Sequence, residues 1–254
     1  MANRFDGKRI LITGGTNGIG LATAKRIVAE GGEVAVTGTS QEHLDQAGRE
    51  LPDASLVLRN DASDPEAAKE LAEKVDKMGG LDGLFLNAGF GAQTPIDGTD
   101  KEMFEKMVHV NNLGPVLQMT QLSGKLNDGA GVLLTSSVAP YTGMPGGAVY
   151  AATKAAMNAF SKSWARELGP RGIRVNSIAP GPIDTGFLDV YSDKSGGMSD
   201  EEKQEMAERI KKSTILGRFG NSDEVAAVAA FLLSDDAAYV TASEYFVDGG
   251  MTTH

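Results

Sequence analysis

The sequence predicts an α/β protein built on one doubly wound, seven-stranded parallel sheet with helices on both faces. Two observations predict it. Short apolar runs alternate regularly with segments of helical periodicity from Lys8 onward, and a glycine-rich turn joins the first run to the first periodic segment.

The first run is Lys8 to Thr13 (KRILIT), and the helical pattern that follows covers Ile19 to Glu30. The alternation then repeats: Glu33 to Thr37 as strand and Gln41 to Glu50 as helix, Ser55 to Arg59 as strand and Asp64 to Met78 as helix, Leu81 to Asn87 as strand. Such alternation reads as parallel strands joined by covering helices. A long helix is expected from about Lys101 to Leu126, a strand at Gly131 to Ser136 and a helix from Ala148 to Leu168. A strand at Ile173 to Ile178, a helix at Ser222 to Leu233 and a last strand at Tyr245 to Val247 complete the pattern. No repeat, low-complexity tract or Pro/Ser-rich linker divides the 254 residues, so residues 1–254 are expected to form one domain. The stretch 186–220 departs from the alternation, holding one charged helix near Ser199 to Lys212, and is expected to be a substrate loop or lid.

Composition narrows the chemistry. The chain has no cysteine, which removes disulfides, thiolate metal sites and a cysteine nucleophile. His43, His109 and His254 lie too far apart for a local ligand motif, so no metal is expected. A net charge of -10 disfavours nucleic acid and anionic membrane surfaces. No apolar run approaches the roughly 20 residues needed to span a bilayer, and the start shows no signal segment. The expected setting is cytoplasmic and the expected partner a small molecule.

The turn after the first run reads Thr13-Gly14-Gly15-Thr16-Asn17-Gly18-Ile19-Gly20. It precedes a helix N-terminus, whose unpaired N–H groups and partial positive charge suit a pyrophosphate. Gly14 can take a turn conformation closed to other residues, Gly18 lets backbone approach phosphate, and Gly20 lets helix and strand pack closely. The spacing is Gly-xxx-Gly-x-Gly. It resembles the TGxxxGIG motif of the classical short-chain dehydrogenase/reductase family, and further matches follow in order. They are Asn87-Ala88-Gly89, Asn111 in VNNLG, Ser137, Tyr150-Ala151-Ala152-Thr153-Lys154, Pro180-Gly181 and a closing FVDGG, so the resemblance spans about Lys8 to Gly250. It implies a Rossmann fold and hydride transfer between NADP(H) or NAD(H) and a carbonyl/secondary alcohol pair.

Tyr150 and Lys154 stand at i and i+4 of a predicted helix, so both project from one face. A carbonyl oxygen that gains charge as hydride arrives needs a proton donor, and the reverse reaction needs a base. Tyrosine serves both directions if a nearby ammonium favours its phenolate. Lys154 supplies that charge. The resemblance implies that Lys154 also holds the nicotinamide ribose, that Ser137 hydrogen-bonds the substrate oxygen, and that Asn111 anchors a water linked to Lys154. Read singly, Ser137 is also a strand-end serine bonding its own loop, and Asn111 a helix-kink residue satisfying backbone groups.

In many NAD-preferring relatives an acidic residue ends the second strand. Here Gly38, Thr39 and Ser40 leave room and donors for a 2′-phosphate, which favours NADP(H), with NAD(H) the alternative. Asn17 stands where many NADP users carry a basic residue, so no charge partner for that phosphate is visible in sequence. The matching motifs place Thr16, Gly18 and Ile19 at the phosphates, Asp61 and Ala62 near the adenine, and Asn87 with Gly89 beside the adenosine ribose. Tyr150 and Lys154 meet the cofactor, and Pro180, Gly181, Ile183 and Thr185 lie at its carboxamide end. Asp61 capping the next turn, and Pro180-Gly181 acting only as a strand breaker, are the plainer alternatives.

The loop Pro140 to Gly147 and the excursion after Thr185, with Phe187, Leu188, Tyr191 and Met198, are expected to wall a neutral, partly apolar substrate site. The resemblance admits 3-oxoacyl-thioester reduction as a specific activity. Arg171 stands near the edge where an acidic carrier protein would dock, but Asp128 in LNDGAG opposes such docking. A dinucleotide-sensing protein without turnover is the alternative from another class. The resemblance also implies a homotetramer, and Phe160, Trp164 and Leu168 form a stripe that suits a subunit interface or the core.

Overall fold

In the computed structural model, residues 3–185 and 199–253 are described. The first apolar run forms β1 (Arg9–Thr13), and α1 (Gly18–Ala29) leaves its C-terminal end. There follow β2 (Glu33–Gly38), α2 (Gln41–Glu50), β3 (Leu56–Arg59), α3 (Pro65–Met78) and β4 (Leu81–Leu86). Ser40 and Asp64 cap α2 and α3 by accepting first-turn N–H groups, and the left-handed Gly79 ends α3.

The expected long helix is present but interrupted. α4 (Lys101–Val108) runs into a π-helical segment, His109–Leu113, and continues as α5 (Gly114–Leu122). β5 (Leu126–Thr135) begins earlier than its glycine-rich start suggests, because Leu126 pairs with Leu81 before a bulge brings Gly131 opposite Gly83. A short α6 (Ala139–Thr142) precedes the long α7 (Ala148–Leu168), β6 (Arg174–Pro180), α8 (Asp200–Lys212), α9 (Ser222–Leu233) and β7 (Glu244–Val247). Capping boxes at Ser199 and Asn221 start α8 and α9.

Among the described residues the strands form a seven-stranded sheet in the order β3-β2-β1-β4-β5-β6-β7, parallel at every pairing. The order reverses between β1 and β4, and a crevice beyond the strand ends at such a reversal is where ligands bind in open α/β sheets. Central strands are buried on both faces. Leu11, Ile12, Leu84, Phe85 and Leu133 have almost no exposed surface, and each such side chain contributes about 1.5–3 kcal/mol of burial. One core lies between the sheet and α1 with α9, and the other between the sheet and α3, α5 and α7. Phe160 and Trp164 stack at 5.4 Å and, with Leu168, pack partly buried against the second core.

Candidate active site

The ends of β1 and β4 are clasped by one side chain. Thr13 Oγ1 accepts hydrogen bonds from the N–H groups of Asn87 (3.1 Å) and Ala88 (3.2 Å), and the Asn87 amide donates to the Gly14 carbonyl at 3.0 Å. The glycine turn is tight against this clasp. A side chain at Gly14 would meet Ala88 Cα at 2.8 Å, and one at Gly20 would meet the Gly14 carbonyl oxygen at 2.2 Å. Gly18 is different: it has φ +50°, and only Thr185 approaches its open side, at 3.6 Å. The N-cap of α1, Asn17, makes no side-chain capping bond. First-turn N–H groups without a side-chain cap, behind an open glycine, fit a pyrophosphate.

Asn17 turns elsewhere. Its amide nitrogen lies 3.3 Å from His43 Nδ1, on the first turn of α2. Gly38, exposed Thr39 and the cap Ser40 lie beside that pair, and a side chain at Gly38 would strike Thr16 Oγ1 at 2.3 Å. An imidazole therefore lies beside Asn17, at the turn where the sequence offered no basic residue. Ser40-x-x-His43 marks an N-cap in sequence, but only the contact with Asn17, 26 residues earlier, places the ring. Asp61 uses its carboxylate on the Ser63 N–H (3.0 Å) and hydroxyl (2.7 Å), and Ala62 is buried against Gly114. These five positions, Gly38 to Ser40 with Asp61 and Ala62, lie outside the central cavity.

That cavity, of about 210 Å³, opens beyond the ends of β5 and β6. Ser137 and Tyr150 line it together with Ile19, Gly181, Ile183 and Thr185, so both the glycine-rich turn and the segment after β6 reach the same space as the tyrosine. Met144 to Gly147 form part of the wall, as expected for that loop, whereas Phe187, Leu188, Tyr191 and Met198 lie outside the described residues. Ile210 on α8 and Met251 near the C-terminus also line it, and sequence reasoning had singled out neither. Among the described residues its walls carry no charged side chain.

Lys154 lies beneath Tyr150, with Nζ 5.8 Å from the ring centre. Pairing of β4 with β5 stops at Leu86 opposite Leu134, so the Thr135 carbonyl lies past that ladder and accepts from Lys154 Nζ at 3.0 Å. Burial pushes the Lys154 pKa down to about 8. Ser136 Oγ donates to the Lys154 carbonyl at 3.1 Å, and Ser137 Oγ accepts from the Ala139 N–H at 3.1 Å. The latter bond leaves the Ser137 hydroxyl hydrogen available to another acceptor.

Asn111 sits in the π-helical segment with its amide engaged at both ends: Oδ1 accepts from Phe90 N–H (3.0 Å), and Nδ2 donates to the Phe90 carbonyl (2.9 Å) and Thr153 Oγ1 (3.0 Å). A side chain at Gly89 would meet Asn111 Oδ1 at 3.0 Å and Lys154 Nζ at 3.1 Å, so both groups face the same glycine. Among the described residues no group of three acidic or histidine side chains could hold a metal ion, and no helix is long and apolar enough to cross a membrane.

A glycine-rich turn at the sheet's switch point, opening into a cavity with tyrosine over a buried lysine, fits a nicotinamide-dependent oxidoreductase of CH–OH and C=O groups. Residues 14–252 match the family model described as enoyl-(acyl carrier protein) reductase. The chain is 36% identical over 256 residues to a 3-oxoacyl-(acyl-carrier-protein) reductase of Thermotoga maritima, covering 98% of this chain and 99% of that one. It is 35% identical over 259 residues to levodione reductase of Leifsonia aquatica, covering 98% and 96%. A solved short-chain dehydrogenase/reductase from Serratia marcescens superposes with a TM-score of 0.87 at 29% identity, covering 98% and 99%. The chain belongs to the short-chain dehydrogenase/reductase family. It uses a nicotinamide cofactor, NAD or NADP, to interconvert a carbonyl and an alcohol.

Proposed function

We propose that the chain reduces a small, neutral ketone, or oxidises the matching secondary alcohol, with NADP(H) preferred and Tyr150, Lys154, Ser137 and Asn111 as its working group. The observation that carries this reading is the cavity shared by Ser137 and Tyr150, with Lys154 buried behind the ring and no charged side chain in the described walls. When bound, the cofactor supplies the hydride that becomes the C–H bond of the alcohol. Tyr150 gives its phenolic proton to the carbonyl oxygen, breaking its own O–H bond as that of the product forms. The Lys154 ammonium stabilises the phenolate left behind, and Ser137 donates a hydrogen bond to the oxygen gaining charge. Asn111 acts as a positioning residue, fixing the Phe90 backbone and Thr153 around Gly89 and Lys154. Oxidation runs the same transfers in reverse.

Gly14, Thr16, Asn17, Gly18 and Ile19 are the residues for the pyrophosphate, and Asn87 with Gly89 for the adenosine ribose. Pro180, Gly181, Ile183 and Thr185 serve the nicotinamide end. The preference for NADP(H) draws support from Ser40, Thr39 and the His43–Asn17 pair beside the open end of β2.

Against a carrier-protein substrate, Arg171 is already occupied: its Nε pairs with Asp128 at 2.9 Å, and its guanidinium also donates to the Ser123 and Leu126 carbonyls. The likeness to the Thermotoga reductase favours 3-oxoacyl-thioester reduction as the second reading. Consumption of NADPH and NADH against ketones, sugars and acyl thioesters tests both. The expected result is faster NADPH-dependent turnover of neutral ketones than of thioesters, and tight cofactor binding without any turnover overturns the enzymatic reading.

Residues 1–254 act on this reading as one catalytic domain with residues 186–220 as its lid, working in the cytoplasm as a homotetramer. Exposed Phe104 and Leu113 on the interrupted helix, and Phe246 on the edge strand, offer apolar surface for such assembly. A monomeric mass by light scattering at micromolar concentration contradicts it.

A further inference from the structure

The closing FVDGG segment has no role in the chemistry above, yet it is tied into the cavity from three sides. Asp248 follows β7 and organises the turn after it: Oδ1 accepts from the Gly250 N–H at 2.9 Å, and Oδ2 accepts from the Thr252 N–H at 2.9 Å and hydroxyl at 2.8 Å. Both glycines hold positive φ, +62° at Gly249 and +84° at Gly250, which makes the turn a fixed conformation that other residues rarely adopt. Its outer side is packed. The Leu216 N–H donates to the Gly249 carbonyl at 3.1 Å, and a side chain at Gly250 would strike Ile215 at 2.8 Å. On the inner side, a side chain at Gly181 would meet Asp248 Cα at 2.6 Å, and the Gly181 N–H donates to the Val247 carbonyl at 3.0 Å. The residue this turn delivers to the cavity is Met251, which shares the wall with Ile210, Met144 and Pro145.

We propose that Met251 sets the size of the substituent the enzyme accepts on the carbonyl carbon, and that Asp248 is the positioning residue that holds it there. The inference rests on the proposed reading of the cavity as the carbonyl site. Its physical basis is simple. The Ser137 and Tyr150 part of the cavity is polar and fixes the reacting oxygen, so the substituents must extend along the apolar wall, and an unbranched thioether there defines how far. The ligand class is a neutral ketone carrying a short apolar group. Because Gly249 and Gly250 bring no side chains, Met251 is the part of the turn that a substrate would meet.

The test compares kcat/KM for two ketones differing only in the length of one alkyl arm, together with NADPH affinity from fluorescence titration. For Met251→Ala the ratio of long-arm to short-arm kcat/KM is expected to rise about tenfold, with the NADPH Kd unchanged, since a methylene or two in an apolar pocket carries discrimination of that order. Met251→Leu, close in volume, is expected to keep the wild-type ratio. Asp248→Ala is expected to raise the ratio in the same direction, which a loss of folded protein alone would not do. A ratio unchanged in Met251→Ala, or an equal fall for both ketones accompanied by weaker NADPH binding, overturns the proposal while leaving the reaction intact. Absence of turnover by the wild-type enzyme on every ketone overturns the reading of the cavity itself, and the inference with it.

Discussion

The Lys154 ammonium donates to the carbonyl oxygen of Thr135 at 3.0 Å inside a site where only 4% of the lysine's surface is exposed. A cation so enclosed is held at a cost, which is why its pKa falls to about 8 from an ordinary 10.5.

That cost is measurable as stability. Because the folded-state pKa lies below the unfolded one, the folded protein binds fewer protons between pH 8 and 10.5, and the penalty is complete below 8 and relieved as pH rises through that window. Lys154→Met in the free enzyme is expected to gain about 2 kcal/mol near neutral pH: about 3 from removing the desolvated charge, less about 1 for the lost bond to Thr135. Urea unfolding should show this advantage shrinking as pH climbs towards 10.5. A variant that is less stable than wild type at neutral pH contradicts the account.

Activity should follow the same group with the opposite sense. On the proposed mechanism reduction needs Lys154 charged, so kcat/KM for the ketone is expected to fall as pH rises above about 8. A profile flat to pH 10 counts against a charged Lys154 as the phenolate's partner.

Tyr150→Phe removes the proton donor while keeping the ring and its contact with Lys154. Turnover is expected to fall by about 10²–10⁴-fold, the usual contribution of a positioned acid or base, with NADPH Kd within a few-fold of wild type. Retained turnover sinks the assignment.

His43→Ala tests the cofactor preference. It removes the ring that lies 3.3 Å from the Asn17 amide beside Ser40. The NADPH Kd is expected to rise about tenfold, the scale of one hydrogen bond to a charged group, and the NADH Kd to change less than about twofold. Equal losses for the two cofactors would point to a purely structural part for His43.

Thr13→Val keeps the shape of the clasp between β1 and β4 but removes the acceptor shared by the Asn87 and Ala88 N–H groups. Leaving those donors unpaired is expected to cost about 1–3 kcal/mol in thermal or urea unfolding and to weaken NADPH binding.

Much of this arrangement was legible in the sequence because it follows from periodicity and from glycine. The order of strands and helices came from apolar spacing, and the tight turn from Gly14 and Gly20, where a side chain would strike backbone. What escaped depends on partners distant in sequence. The start of β5 is set by Leu81, which recruits Leu126 across a bulge, so LNDGAG reads locally as loop and folds as strand. Asp61 is the local exception, an exposed carboxylate accepting from the Ser63 N–H and hydroxyl two residues on, the turn contact its plainer reading describes. His43 acquires meaning only when α1 and α2 start side by side, and Met251 only when Asp248 folds the C-terminal turn against the end of β6.

The π-helical segment between α4 and α5 makes chain length itself a constraint. An α-helix turns about 100° per residue, and a π-helical turn, bonded i to i+5, accommodates one residue more than the regular helix would. Here it lets Asn111 reach Phe90 and Thr153 Oγ1 while Asn112 Nδ2 donates to the Thr153 carbonyl at 2.8 Å, and still leaves Met119 and Leu122 facing the core. Deleting any one residue from His109 to Leu113 would restore regular winding and put these two sets out of phase by about 100°. Either the asparagines would lose α7 or α5 would rotate its apolar face out of the core. Substitutions along this stretch are therefore matters of degree, whereas a single-codon deletion in the gene sets the asparagine contacts against the core.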